Sequence, residues 1–161
     1  SQLTIVFDRV EEPSLSQPRT FDQRDLARFA LCFGLVNTLA DLATFVILRH
    51  LGASDHGPSA QAAFRAGWFT ENLLSQAITV LILRSRTGPA VRRGPPWPVL
   101  AGLAALTVTG VFLPLSPLAA AIAMHAPPAG FFLLLAAVLA GYSLLLLVAR
   151  AAYRRIWAPW L

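Results

Sequence analysis

Phe29-Ala-Leu-Cys-Phe-Gly-Leu-Val-Asn-Thr-Leu-Ala-Asp-Leu-Ala-Thr-Phe-Val-Ile-Leu48 is a run of twenty residues with a single charge, Asp41. About 20 mostly apolar residues is the length a helix needs to cross a hydrocarbon core of roughly 30 Å. Three further apolar stretches follow at about 62–83, 98–113 and 130–149. The second has its cleanest part from Gly67 to Leu83 and is extended upstream by Ala62, Ala63, Phe64 and Ala66. A buried helix of a large soluble protein can mimic one such run, but rarely four within 161 residues. Composition agrees: 56% of the side chains are hydrophobic and 13% charged, with a mean hydropathy of +0.60. An ordinary soluble domain carries roughly a quarter of charged residues. The expected fold class is an all-α membrane protein with four transmembrane helices, preceded by a cytoplasmic connector over residues 1–28, with the bundle over 29–161.

The charge pattern supplies an orientation. The chain carries a formal net charge of +5, with thirteen Arg and no Lys. Nucleic-acid binding needs such residues gathered on one solvated face, whereas here they sit at the ends of the apolar runs, so no nucleic-acid partner is expected. Arg9, Arg19, Arg24 and Arg28 precede the first run; Arg84, Arg86, Arg92 and Arg93 separate the second and third; Arg150, Arg154 and Arg155 follow the fourth. Only Arg49 and Arg65 fall on the opposite side. By the positive-inside rule both termini are expected in the cytoplasm, and the loops around residues 54–58 and 115–128 outside. A multi-pass protein of the cell inner or plasma membrane, solvated by lipid, is the corresponding localisation.

Other features are weaker. Cys32 stands alone, which excludes a disulfide framework in one copy. No secretory signal peptide is visible near the start. The first residue is Ser, and the chain opens with a short apolar-rich tail, Ser1 to Phe7; this reads as a piece of something longer, with a processed N-terminus as the alternative. Asp22, followed three residues later by Asp25, is a partial capping box that opens the first helix. His56 beside Asp55 is a poor metal site, and His125 reads as an interfacial side chain. Trp97 is placed as an interfacial anchor, and Tyr153, Trp157 and Trp160 with Arg154 and Arg155 as an inner-surface anchor. The last two runs, with Ala101 and Ala105 at small-xxx-small spacing and Gly102, Gly110 and Gly141 for close approach, read as a scaffold hairpin.

The informative residues are two intramembrane acids, Asp41 and Glu71. A carboxylate in hydrocarbon is costly unless it faces a bundle interior or a wet path, so such an acid is a functional candidate. Asn37 precedes Asp41 by one helical turn and shares its face; Glu71 relates in the same way to Ser75, with Asn72, Gln76 and Thr79 on a neighbouring polar stripe. Asp41 lies thirteen residues beyond Arg28 and Glu71 thirteen before Arg84, so at 1.5 Å per residue both sit roughly 20 Å from the cytoplasmic edge. Oxygen-bearing side chains at one level are what a hard divalent cation needs. The cation-path candidates are therefore Glu71, Asp41, Asn37, Asn72, Ser75 and Gln76, with Glu71 and Asp41 as metal ligands. In the alternative, Asp41 only packs helices through Asn37 or answers Arg49, and Glu71 snorkels outward toward Arg65. No phosphate-binding glycine loop or Lys-Thr-Gly-Thr phosphorylation motif occurs in these residues, so they do not make an ATPase by themselves and hold no expected cofactor.

Ser1 to Asp8, Arg28-Phe29 through Phe33-Gly34, Gly67-Trp68-Phe69-Thr70-Glu71-Asn72-Leu73-Leu74-Ser75-Gln76, Ile82-Leu83-Arg84-Ser85-Arg86 and Leu113-Pro114-Leu115-Ser116-Pro117-Leu118 resemble the carboxy-terminal membrane region of magnesium-translocating P-type ATPases. The likeness runs over essentially the whole chain. It implies transmembrane helices seven to ten of a pump that forms an aspartyl-phosphate from ATP and moves Mg²⁺ toward the cytoplasm. Its partners would be the upstream helices and the cytoplasmic domains of the same protein, and Mg²⁺ and ATP would be requirements of the whole. On this resemblance Glu71 matches an eighth-helix acid that contributes to ion coordination in related pumps, and Asp41 matches the seventh-helix Phe-Asp region, here Ala40-Asp41. Two other readings are a standalone four-helix secondary transporter or channel subunit using Glu71, and a noncatalytic membrane packing protein.

Overall fold

The computed structural model describes residues 23–53, 57–84, 97–128 and 130–156. All regular structure among them is helical: α1 (Gln23–Leu48), continued by a π-helical turn (Arg49–Ala53); α2 (Pro58–Arg84); α3 (Trp97–Phe112); a 3-10 turn (Pro117–Ile122); and α4 (Phe131–Ile156). Each apolar run of the sequence has become one helix. Asp22, Asp55, His56, the connector before Gln23, the whole loop between α2 and α3, Trp157 and Trp160 lie outside the described residues.

α2 is the central element: it packs against α1, α3 and α4, while α1 and α4 also pack on each other. The reason lies in its sequence. Ala62, Ala66, Gly67, Thr70, Ser75 and Ala77 are small and buried, so three neighbours approach its backbone closely. At Gly67 an added Cβ would lie 2.6 Å from Leu48 Cδ2 and 3.1 Å from Phe131 Cζ, so α1, α2 and α4 meet at that residue. α4 offers one buried stripe, Phe131, Leu135, Tyr142, Leu146 and Tyr153, with alternating spacings of four and seven that mark a single helical face.

α3 rests on α2, and the expected hairpin of the last two runs is not the packing unit. Its inner face is Val99, Leu103 and Gly110, while Ala101 and Ala105 are exposed. Thr70 Oγ1 shares its hydrogen between Ala66 O at 2.9 Å and Gly110 O at 2.8 Å, so the contact uses Gly110, where an added Cβ would come within 3.2 Å of Leu73 Cβ. Thr70→Val keeps the shape and deletes this interhelical bond. In the full-length protein it is expected to cost on the order of 0.6–1.5 kcal/mol, read as a lower melting temperature in detergent; an unchanged melting temperature would show that the bond adds nothing.

Charged and aromatic groups tie the opposite end. Arg150 Nη1 donates to Ile82 O at 2.6 Å, near the C-terminus of α2, where a cation meets carbonyls lacking a helical partner. Tyr153 Oη donates to Asp25 O at 3.3 Å, and its ring lies 5.8–6.0 Å from those of Phe33 and Phe29. Tyr153 is thus buried core, a correction to its reading as an interfacial anchor; the α4 stripe turns it inward. Asp25 pairs with Arg28 at 3.3 Å.

The outer surface is apolar. Leu31, Leu35, Leu39 and Leu42 on α1, Val108 and Phe112 on α3, and Leu133, Leu144, Leu145, Leu147 and Val148 on α4 are all exposed. Soluble monomers rarely expose contiguous apolar patches above a few hundred Å². Among the described residues, two helices are long and apolar enough to cross a membrane: α1 with its extension to Leu51, 29 residues at mean hydropathy 1.9, and α4, 26 residues at 2.6. α3 is a shorter apolar helix.

Candidate functional site

α1 and α2 run antiparallel, with Leu48 against Gly67. One turn further in, this register brings Thr44 level with Glu71, and the next turn brings Asp41 to the same level as Ser75. Asp41 and Glu71 thus lie about one helical turn apart across the interface, and their carboxyl groups come close enough to interact. Glu71 is fully buried, and among the described residues neither carboxylate oxygen accepts a hydrogen bond of good geometry. Asp41 Oδ1 and the buried Thr44 Oγ1 are also without one. Three carboxylate oxygens and one hydroxyl, from two helices, are thus buried without a hydrogen-bond partner among the described residues.

The rest of the cluster is ordered. Asn37 Nδ2 donates to Asp41 Oδ2 at 3.2 Å, leaving Oδ1 as the available oxygen. Ser75, buried beside Glu71, donates from Oγ to Asn72 O at 3.2 Å, so its lone pairs remain for a cation. Tyr142 Oη donates to Asn37 Oδ1 at 3.3 Å and lies 2.5 Å from Thr79 Oγ1. Buried unpaired acceptors cost free energy, and two carboxylates side by side add mutual repulsion. The arrangement is one that a cation would relieve.

The structure therefore brings together Asn37, Asp41, Glu71 and Ser75. It turns two other candidates elsewhere. Asn72 Nδ2 donates to Trp68 O at 3.1 Å, and Asn72 lines an open groove of about 610 Å³ with Phe45, Phe64, Arg65, Trp68 and Phe69. Gln76 is exposed on the outer face of α2. Glu71 does not snorkel outward toward Arg65; its side chain stays in the bundle. Among the described residues, no three His, Cys, Asp or Glu gather into a metal-binding group. A hard cation that takes six or more oxygens would need water or further protein oxygens beside the acid pair.

Sequence reasoning missed Thr44 and Tyr142. Thr44 is three residues from Asp41, on the same face, and Tyr142 sits in the middle of the buried α4 stripe. Both signals are present in the spacing.

A family model described as "Cation transporting ATPase, C-terminus" matches residues 1–155. The chain is 35% identical over 155 residues to a Salmonella typhimurium protein named "Magnesium-transporting ATPase, P-type 1", covering 96% of this chain and 17% of that protein. It is 33% identical over 155 residues to an Escherichia coli protein of the same name, with the same coverage. A further Salmonella typhimurium relative of that name is 31% identical over 160 residues, 99% of this chain and 18% of the relative. The chain thus spans under a fifth of the length of these relatives.

Proposed function

Because the chain belongs to the cation-transporting ATPase C-terminus family, we propose that it is the C-terminal membrane support segment of an ATP-driven Mg²⁺ transporter, with Asp41 and Glu71 in the cation path. In this reading residues 1–28 connect to upstream parts of the protein, and 29–161 supply four spans equivalent to helices seven to ten. Both ends lie in the cytoplasm and the chain is multi-pass in the inner or plasma membrane. Lipid, the upstream helices and the cytoplasmic domains are its partners; ATP is consumed by those domains and Mg²⁺ is the cargo. The placement of the arginines supports the orientation, and the exposed apolar faces of α1, α3 and α4 support lipid and helix contacts. At 16 residues α3 is about 24 Å long, so the apolar segment through Leu115, Leu118 and Ile122 has to complete its crossing.

One observation carries the cation-path part: the Glu71 carboxylate is fully buried, lies close to Asp41, and among the described residues has no hydrogen-bond partner of good geometry on either oxygen. A buried acid pair is what a divalent cation neutralises. The test is Glu71→Gln in the full-length protein, with Mg²⁺ uptake measured in proteoliposomes. Interactions with an ionised group are worth about 1.5–3 kcal/mol, so the half-saturating Mg²⁺ concentration should rise on the order of tenfold or more. An unchanged value would remove Glu71 from the path and leave only the support role.

A further inference from the structure

We propose that Tyr142 is a positioning residue for the acid pair, its hydroxyl holding the Asn37 amide so that Nδ2 rather than Oδ1 faces Asp41. This rests on the cation-path reading above and gives α4 a part in it. The hydroxyl reaches two helices at once: it donates to Asn37 Oδ1 on α1 at 3.3 Å and meets Thr79 Oγ1 on α2 at 2.5 Å. Thr79 Oγ1 also donates to Ser75 O at 2.8 Å. Two hydroxyl hydrogens therefore serve three contacts. When Tyr142 donates to Asn37, Thr79 has to share its single hydrogen between Ser75 O and Tyr142 Oη, as Thr70 shares its own between Ala66 O and Gly110 O. Apart from the Thr79 branch to Ser75 O, the bonds then point one way, from Thr79 to Tyr142 to Asn37 to Asp41, and that chain ends on a carboxylate.

The direction matters because the two ends of a primary amide are opposite in character. Nδ2 donates to a carboxylate, whereas Oδ1 turned toward it would set acceptor against acceptor. Tyr142 occupies Oδ1 and so selects the productive orientation. Hydrogen bonds aligned head to tail strengthen one another in a low-dielectric interior, and a bond to an ionised acceptor is stronger than a neutral one. Asp41 is then held by Oδ2 and presents Oδ1, the oxygen with no partner. The tyrosine ring is itself fixed: it is buried in the cluster with Phe33, Ala40 and Leu146, against which Val36 and Val138 pack. A phenylalanine would keep that packing and delete only the hydroxyl.

The experiment measures Mg²⁺ uptake by the full-length protein in proteoliposomes for Tyr142→Phe, Thr79→Val, Asn37→Ala, the Tyr142→Phe/Asn37→Ala double variant and Asp41→Asn, with melting temperatures alongside. Tyr142→Phe should raise the half-saturating Mg²⁺ concentration about fivefold while the maximal rate stays within about twofold, a split that loss of packing alone would not give. Thr79→Val should act in the same direction and less strongly. The double variant should be no worse than Asn37→Ala, since both act through one amide. If Asp41→Asn shifts half-saturation but Tyr142→Phe and Thr79→Val do not, or if the double variant adds the two effects, the positioning role is overturned and the cation-path reading stands. If Asp41→Asn and Tyr142→Phe are both silent, the reading falls and this role falls with it.

Discussion

Gly67→Leu is expected to be among the most damaging single substitutions in the bundle, lowering the melting temperature of the full-length protein and the amount of it recovered in membranes. Even a methyl group at this position would sit 2.6 Å from one Leu48 methyl and 3.1 Å from both the other and the Phe131 ring. Leu48 and Phe131 have no room to yield, because both are fully buried and pack together with Leu135. Overpacking a filled interior costs about 1–3 kcal/mol, occasionally more, and a leucine side chain belongs at the upper end. Gly67→Ala should fall between wild type and Gly67→Leu. Gly34 on α1 supplies the contrast: an added Cβ there meets nothing within 4 Å, so Gly34→Ala should be neutral or stabilising by roughly 0.5–1 kcal/mol through helix propensity. A Gly67→Leu protein that melts with wild type would mean that the three helices do not meet at this residue.

The helices themselves were legible because hydrophobic length is a local property. The run ending at Leu48 ends α1, and the extension of the second run through Ala62 to Ala66 lies inside α2. Pairing was less legible. Ala101 and Ala105 form a recognisable small-residue pattern yet face outward, while the close contact goes through Gly110 and the Thr70 hydroxyl. Small residues permit approach without naming a partner. α3 approaches α2 because Thr70 and Gly110 complement each other across forty positions of sequence, which no local window contains.

The candidate site divides in the same way. Counting from the boundary arginines puts Asp41 and Glu71 at one level; the helix register sets them about one turn apart, close enough for their carboxyl groups to interact. A count of that kind needs only the rise per residue and the antiparallel sense of the two runs. Assigning faces needs the helical phase against real neighbours, so Gln76 was grouped with Glu71 although it points outward. Thr44 was hidden because a threonine in an apolar helix ordinarily bonds its own backbone, as Thr38 does to Gly34 O. Thr44 makes no such bond. Tyr142 was hidden by its ring, which reads as apolar until α4 is laid on α1 and the hydroxyl meets Asn37, 105 residues away.

Glu71→Leu is expected to separate stability from function. In chelator, wild type buries a carboxylate that has no hydrogen-bond partner among the described residues and lies beside a second acid, an arrangement that costs several kcal/mol before any cation arrives. A leucine of similar size removes both desolvation and repulsion, and replacing buried ionic groups by apolar ones is often neutral or stabilising by about 1–4 kcal/mol. Without Mg²⁺ the variant should therefore melt at or above the wild-type temperature, while its uptake is lost. With Mg²⁺ the order should reverse. A ligand at 100 times its dissociation constant stabilises the state that binds it by about 2.7 kcal/mol, and only wild type keeps the acid that binds. Any Mg²⁺ acting elsewhere in the full-length protein shifts both melting curves equally, so the difference between them isolates this pair. Equal shifts would show that Glu71 does not meet the cation. A variant that melts well below wild type in chelator would show instead that the carboxylate is held by a donor from the upstream helices, and that its buried charge serves packing.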